Sequence, residues 1–460
     1  MIKKFLVFIL FCLFITNTAY AGENKFGIHI LETSEVNEAV RLVNSSGGDW
    51  GYITMVLRDD DLKKEKWQNF FDDCRRLHLI PIVRIATHME SGGFWAKPEI
   101  NDLAKWPEFL GDLNWPVKQQ IVVIFNEPNH AKEWGGEINP YEYTLVLTKL
   151  IDLFKQESNN FFILNAGFDQ AADGRNGTMP EQVFLQNMFN NDQDIFNKID
   201  GWSSHSYPNH GFIGLPSDVG KASIKGYEWE IELLKNLKKS LPIYITETGW
   251  PHREGEVNNN QFYKEEKVAQ LLKDSFNIWE KDNGIKAITP FILNYPQVPF
   301  DHFSWIKKDG SYYKQFSELM NLSKNKGDPE QIESFQIINL ILADLLPTDY
   351  LYKGKIIIKN SGQWIIGEKK SFELEFSNNS NLKISKIIIP QGQLIYPNQK
   401  VELNFTLETG TRSAEAKIKI KDKEYTTYIF KPFDLKNNKI SLWKQVTTKL
   451  KLWWQDFKEK

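Results

Sequence analysis

The chain has 460 residues, 41% hydrophobic and 25% charged, with a formal net charge of -3. That length holds two or three domains, and that charge gives nucleic acid no electrostatic footing. Aromatic residues reach 13%, with 15 Trp and 31 Phe, which suits either a large core or a surface that stacks on sugar rings.

Residues 1–21 read as a secretory signal, which predicts a secreted or cell-surface protein. Lys3 and Lys4 form the positive end, FLVFILFCLFI (5–15) the apolar segment, and Ala19-Tyr20-Ala21 the small-residue cleavage site. An uncleaved anchor is the other reading, although the apolar run is short for a span. Cys12 lies inside this segment, so the mature chain keeps one thiol, Cys74, which forms no internal disulfide and falls in a helical pattern as a core residue.

Eight short apolar runs follow: KFGIHI (25–30), WGYITMVL (50–57), IPIVRIA (80–86), QQIVVIF (119–125), FFILNAGF (161–168), IDGWSSHSY (199–207), LPIYITE (241–247) and IKAITPFIL (285–293). Helical patterns lie between them, at 34–48, 61–79 and 141–156, and another near 311–324 follows the last run. Eight alternations of apolar strand and amphipathic helix mean parallel strands covered by helices. The economical closure is a (β/α)8 TIM barrel, an α/β fold, spanning 22–325; a doubly wound open sheet is the alternative.

Composition changes after residue 325. Residues 326–349 read as a linker, with QIINLILADLLP (336–347) an apolar bridge or short helix. Short alternating strands over 350–433 predict a small all-β sandwich domain. Its strands carry Lys and Glu outward without a row of exposed aromatics, which favours a structural or spacer role. Residues 434–460 read as a basic amphipathic C-terminal helix, with Ile440, Trp443, Val446, Leu450, Trp453 and Phe457 on one face and lysines around them. Such a helix fits a membrane or cell-envelope surface, or docks on the sandwich or the barrel.

Two apolar runs end in a carboxylate. IVVIFNEPN (121–129) carries Glu127 after the fourth, and IYITETGWP (243–251) carries Glu247 at the end of the seventh. Burying an unpaired charge costs several kcal/mol, roughly, unless it is paired or used. In a barrel the C-terminal strand ends share one face, so both glutamates point into one pocket. Two carboxylates across a pocket are what glycosidic cleavage requires: one protonated to serve the leaving oxygen, one ionised to attack carbon or activate water. Arg84 on the third run is a candidate cation, and His205 and Tyr207 at the end of the sixth are candidate hydrogen-bonding groups. An ionised Glu247 held by Arg84 and Tyr207, beside a protonated Glu127, is a coherent assignment.

Asn-Glu-Pro at the fourth strand end with a glutamate at the seventh resembles clan A of the glycoside hydrolases, the retaining barrel enzymes. The resemblance covers about residues 25–320. It implies that Glu127 is the general acid/base, that Glu247 is the nucleophile, and that Asn126 binds the hydroxyl next to the anomeric carbon. His205 and Tyr207 match a His-x-Tyr pattern whose tyrosine bonds the nucleophile. ETGWP is similar to the β-1,3-glucanase family, and FNEPN to the cellulase-type or xylosidase-like ones. Two positions depart from the clan pattern. Arg58 competes with Arg84, and the eighth strand end offers Phe291 and Tyr295, with Trp305 further on, where a Trp is usual.

Among the other aromatic residues, Trp134 and Trp250 are candidate sugar platforms or core residues. His29 and His88 end strands one and three. With His205 they share one barrel face, but no tight ligand spacing supports a metal, and none is expected. No phosphate-binding glycine loop or nicotinamide fingerprint appears, so no cofactor is expected. The sequence thus predicts a secreted retaining β-glycoside hydrolase acting on an oligo- or polysaccharide; a transglycosidase would use the same residues. The competing reading is a non-catalytic carbohydrate-binding or scaffold protein on a glycosidase-like barrel.

Overall fold

The computed structural model describes residues 23–235, 240–379, 382–432 and 440–458, so the signal-like segment lies outside the described residues. The chain divides into two compact units. One gathers residues up to Lys63, Arg76–Glu108 and Ile121–Pro329; the other gathers Lys64–Arg75, Phe109–Gln120 and Glu330 onward.

In the first unit the apolar runs become short strands: β1 (Gly27–His29), β2 (Gly51–Arg58), β3 (Leu79–Ala86), β4 (Gln120–Ile124), β5 (Phe161–Leu164), β6 (Trp202–His205), β7 (Ile243–Glu247) and β8 (Ile285–Ile288). Strands β1 to β5 form one sheet in chain order, and β6 to β8 another. Pairing is parallel between β1 and β2, β2 and β3, β3 and β4, β6 and β7, and β7 and β8. Single parallel bridges, Leu164 with Gly201 and Phe26 with Ile288, join the flanks of the two sheets. Every residue of β4 and β7 is buried, as expected where both faces of a parallel sheet are covered.

The intervening helices are α1 (Val36–Val43), α2 (Lys64–Leu77), α3 (Lys105–Gly111), α4 (Pro140–Glu157), α5 (Glu181–Asn191), α6 (Ile195–Lys198), α7 (Gly226–Leu234), α8 (Glu265–Trp279) and α9 (Lys314–Met320). Local chemistry sets their starts. At α4, the Asn139 side chain accepts the Glu142 N–H at 3.1 Å, and Pro140 occupies the first turn, where no N–H is needed. The helix then buries Tyr143, Leu147, Leu150 and Phe154 at three- and four-residue steps.

Beyond Pro329 the chain is β-rich. Its strands are β9 (Phe335–Ile341), β10 (Leu345–Pro347), β11 (Leu351–Asn360), β12 (Phe372–Leu374), β13 (Ser377–Asn378), β14 (Lys383–Ile384), β15 (Ile387–Ile389), β16 (Lys400–Glu408), β17 (Ala414–Ile420) and β18 (Lys423–Phe430). They form two four-stranded sheets, β14-β16-β11-β9 and β10-β18-β17-β13, and the pair β12-β15. Alternate residues of β11, β16 and β17, among them Ile356, Ile358, Phe405, Leu407, Ile418 and Ile420, meet in one apolar cluster. A last helix, α10 (Leu442–Lys458), closes the described chain. The N-terminal part of the segment predicted as that helix, residues 434–439, falls outside the described residues.

Two expectations change. The segment QIINLILADLLP, read as a linker bridge or short helix, is strand: β9 pairs antiparallel with β11, and β10 pairs parallel with β18. A register shift between Ile357 and Ile358 accompanies inward burial of both Ile337 and Leu340, three residues apart. Such a spacing also fits a helix face, and strand pairing decides against it. The helix segment Lys64–Arg75 and residues 109–120 also group with the β-rich unit rather than with the other parallel-strand elements. Polar bonds stitch them there. Asn114 donates to the Gly362 carbonyl at 3.1 Å, Gln363 to Val117 at 3.0 Å and Gln331 to Pro116 at 2.8 Å.

Ile356 is fully buried in the β-rich cluster. Ile356→Ala is expected to cost about 2–5 kcal/mol, seen as a lower urea midpoint; an unchanged midpoint would show that this cluster contributes little.

Candidate active site

The C-terminal ends of β3, β4, β6 and β7 bring together the residues singled out above. Glu247 is the last residue of β7 and is 9% exposed. Arg84 of β3 places Nη1 3.4 Å from its Oε1, and the Tyr207 hydroxyl, just past β6, donates to its Oε2 at 3.1 Å. His205 Nδ1 lies 3.9 Å from the same Oε2. Burial alone would push the Glu247 carboxyl up; the charges of His205 and Arg84 and the Tyr207 hydrogen bond overcome it and hold the group below the usual carboxylate range. Tyr207 is pushed well above the ordinary phenol range by burial and by Glu247, so it stays a donor.

Glu127 follows β4 across an unusual backbone. Phe125 and Glu127 adopt φ of 67° and 29°, a left-handed region that costs non-glycine residues of order 1 kcal/mol or more each. Two hydrogen bonds hold this turn. The Glu127 N–H donates to the Gly167 carbonyl at 3.0 Å, and the His130 N–H to the Glu127 carbonyl at 2.8 Å. Its side chain is met by His205, whose Nδ1 lies 2.8 Å from Oε1. Burial opposes a proton on His205, yet Glu247 and Glu127 together raise its pKa above the ordinary imidazole value. Oxygens of Glu127 and Glu247 and a nitrogen of His205 all lie within 4.8 Å of one another.

Asn126 is fixed between two partners. Its Oδ1 accepts from Arg84, and its Nδ2 donates to Glu133 Oε2 at 3.1 Å. The structure thus places Arg84 at the site; Arg58 instead pairs with Asp60 at 2.8 Å with its side chain half exposed. His29, at the end of β1, is 1% exposed, and neither ring nitrogen has a hydrogen-bond partner among the described residues. Burial, the largest influence, brings its pKa to about 3, leaving a neutral imidazole that can donate and accept. Tyr295 joins a chain of rings leading out of the pocket. Phe212 packs edge-on to Tyr207 at 5.5 Å and to Phe303 at 5.3 Å, Phe291 to Phe300 at 5.6 Å, and Phe300 to Tyr295 at 5.4 Å.

Of the two readings of Trp134 and Trp250, core residue holds and sugar platform does not. Trp134 and Trp250 are 1% and 2% exposed, so neither offers a face to a sugar. Trp134 donates to Glu142 at 2.9 Å and packs edge-on between Phe125 and Tyr143, while Trp250 donates to the Gly214 carbonyl at 2.8 Å. Trp305 is likewise buried. His88 bonds Asp59 on the exposed side of its strand end. Among the described residues, the one group suited to hold a metal is Glu127, His205 and Glu247, not the three histidines. The Arg84 guanidinium already pairs with Glu247 there, which works against a second cation.

Sequence reasoning missed Glu133 and Gly167. Glu133 ends a short 3-10 turn (Ala131–Glu133), and its pKa is raised to about 7, first by burial and then by the Glu127 charge. Its only local signal is its place after NEPNH. Gly167 supplies the carbonyl that holds Glu127 and leaves room for His205; a Cβ there would stand 2.1 Å from His205 Cδ2. The NAGF run shows the glycine but not the ring that needs its space.

Residues 97–313 match the family model described as glycosyl hydrolase catalytic core. Among solved structures, the chain is similar to a family 39 glycoside hydrolase from the gut symbiont Bacteroides cellulosilyticus WH2, at 14% identity and a TM-score of 0.45, over 85% of this chain and 81% of that one. It is similar to a monomeric beta-xylosidase from Caulobacter crescentus CB15, at 12% identity and a TM-score of 0.47, over 85% and 98% of the two chains. It is also similar to a GH128 (subgroup II) endo-beta-1,3-glucanase from Pseudomonas viridiflava, at 12% identity and a TM-score of 0.42, over 65% and 97%. No curated protein matches the chain.

Gly167→Ala is expected to displace the His205 ring and lower turnover by about tenfold or more while circular dichroism stays unchanged; full activity would show that His205 needs no such room. Glu133→Gln keeps an acceptor for Asn126 and removes a titrating group. Because the folded pKa near 7 exceeds the ordinary 4.5, wild type loses stability as pH rises through that interval. The variant's urea midpoint should therefore gain on wild type between pH 4.5 and 7, with the gap constant above; a gap that does not change with pH would refute the assignment.

Proposed function

We propose that this glycoside hydrolase, so identified by its catalytic-core match, is an exported retaining β-glycosidase acting on an oligo- or polysaccharide. The observation that carries the reading is the unequal holding of two close carboxylates. Oxygens of Glu127 and Glu247 lie within 4.8 Å of each other. That approach suits the roughly 5–5.5 Å separation of retaining pairs better than the about 6.5–9.5 Å of inverting ones. The parallel bridges Leu164–Gly201 and Phe26–Ile288 support a closed eight-stranded barrel around this pocket. The shared cluster of the two C-terminal sheets supports a β-sandwich. Segment 1–21 supports export.

The roles follow from the environments. Glu247, held ionised by Arg84, Tyr207 and His205, attacks the anomeric carbon. The bond to the leaving oxygen breaks as Glu127 delivers its proton there, leaving a glycosyl ester on Glu247. The ester neutralises Glu247, and Glu127, now without its proton, takes one from water as that water attacks the anomeric carbon. The ester bond breaks, and both carboxyls return to their first state. Asn126, fixed by Arg84 and Glu133, faces the sugar hydroxyls. Tyr295 and the neighbouring phenylalanines give its C–H faces an apolar wall.

Sugar release should be measured with the mature chain on β-glucans, xylan, mannan and galactan. One polymer should be cleaved. Glu127→Gln should lower turnover about 10²–10⁴-fold, and Glu247→Ala should abolish it, with azide restoring a glycosyl azide product. Silence on every polymer, or full activity in Glu247→Ala, would overturn the reading. The acid limb of kcat/KM should lie below pH 4.5, because the Glu247 pKa is lowered from that value. Tyr207→Phe removes a donor to the carboxylate and should move the limb to higher pH; a limb that stays in place would remove Glu247 as its source.

A further inference from the structure

The last helix turns the wrong way round for a helix that serves only to pack. Gln445 and Leu452 lie two turns apart on one side, 2% and 5% exposed, and Leu452 joins the apolar cluster of the β-rich unit. Ser441 begins the helix, its hydroxyl accepting the Lys444 N–H at 3.4 Å and its carbonyl the Gln445 N–H at 3.1 Å. The other side carries Leu442, Val446, Leu450 and Trp453 at steps of four, four and three, with Trp443 and Trp454 beside them. These six side chains are 46%, 37%, 59%, 60%, 77% and 51% exposed in that order. A packed amphipathic helix buries its large apolar residues and exposes its polar ones; here a glutamine is covered and four leucine, valine and tryptophan positions in register are not. A contiguous apolar stripe of this size marks an interaction surface.

Charge identifies what the surface meets. Across Leu442–Lys458 four lysines, Lys444, Lys449, Lys451 and Lys458, stand against one acid, Asp456, in a chain whose overall charge is -3. A second copy would bring an equally basic helix against this one, and like charge disfavours that pairing. A neutral polysaccharide has no use for the lysines. Tryptophan and leucine flanked by lysine suit the headgroup layer of an anionic bilayer, where indole rings sit at the boundary and lysines meet lipid phosphates. No helix among the described residues is long and apolar enough to cross a membrane, so such contact would be made in the plane of the interface. We propose that the exposed face of α10 binds the surface of an anionic phospholipid bilayer and tethers the enzyme there.

The test uses the full mature chain and sedimentable vesicles of phosphatidylglycerol with phosphatidylcholine, beside vesicles of phosphatidylcholine alone. The protein should sediment at least about tenfold more strongly with the anionic vesicles, and less as salt rises. The double variant Trp443→Ser/Leu450→Ser should lose about tenfold or more by removing apolar insertion. Lys444→Gln/Lys451→Gln should lose about tenfold or more by removing charge. Both variants should keep wild-type turnover of soluble substrate, since neither touches the pocket. Equal sedimentation with both vesicle types, wild-type binding by both variants, or a lipid-free dimer that Trp443→Ser/Leu450→Ser dissociates would each overturn the proposal, the last in favour of a second copy.

Discussion

Chemistry at this site depends on keeping Glu247 ionised while 9% exposed. Withdrawing a carboxylate from water costs several kcal/mol, roughly, and a single neighbour seldom offsets that. Here the compensation is spread over three: Arg84 at 3.4 Å, Tyr207 at 3.1 Å and His205 at 3.9 Å. They come from β3 and from the end of β6, while the carboxylate comes from β7. Parallel strands are what make this convergence cheap. In a parallel sheet every C-terminal end lies at one edge, so strands distant in sequence deliver side chains to the same place. An antiparallel arrangement would send neighbouring strand ends to opposite edges. The apolar bodies of β3 and β7 supply the anchorage, so the charged ends need not hold themselves in position.

Glu127 is held by a different device. Its backbone sits where non-glycine residues seldom go, and the turn persists because neighbouring chain over-determines it. Gly167 performs two jobs at one position, accepting the Glu127 N–H and yielding space to the imidazole that meets the same carboxylate. Asn129, fully buried, adds support from the same loop by donating to the carbonyls of Asp169 and Met179 at 2.9 and 3.1 Å. Glu127 is therefore positioned by the loop after β5 as much as by its own strand.

How far the sequence alone reaches depends on whether a signal is local. Eight apolar runs and two carboxylates at their ends are local, and the structure places those runs as parallel strands with Glu127 and Glu247 at one edge. Arg84 against Arg58 was not decidable, since each ends or lies in a strand, and only the pairing of Arg58 with Asp60 removes it. Trp134 and Trp250 stay open between platform and core for the same reason. A tryptophan beside a catalytic motif reads as a platform, but whether its face is covered depends on Phe125, Tyr143 and Gly214, contributed by other segments. Strand β9 is hard to read locally because Ile337 and Leu340 lie three residues apart, a spacing that also fits a helix, and the partner that makes them a strand, β11, follows later in the chain. Glu133 was illegible because its importance comes entirely from what it touches.

That touch shows how the pocket divides geometry from charge. Asn126 has an oxygen on Arg84 and a nitrogen on Glu133. Turning the amide over would set its NH2 against a guanidinium that carries donors only and never loses its charge. Arg84 alone therefore fixes which way the Asn126 amide is turned, and Glu133 is not needed for that choice. Burial and the charge of Glu127 raise the Glu133 carboxyl to about 7, against a smaller opposing influence of Arg84 and a hydrogen bond from the neutral Asn126 amide. A proton entering this pocket near neutral pH is favoured on Glu133 or His205, whose pKa values are raised, rather than on Glu247, whose pKa is lowered. Glu133 and His205 can then take up or release a proton while Arg84 stays paired with Asn126 and Glu247.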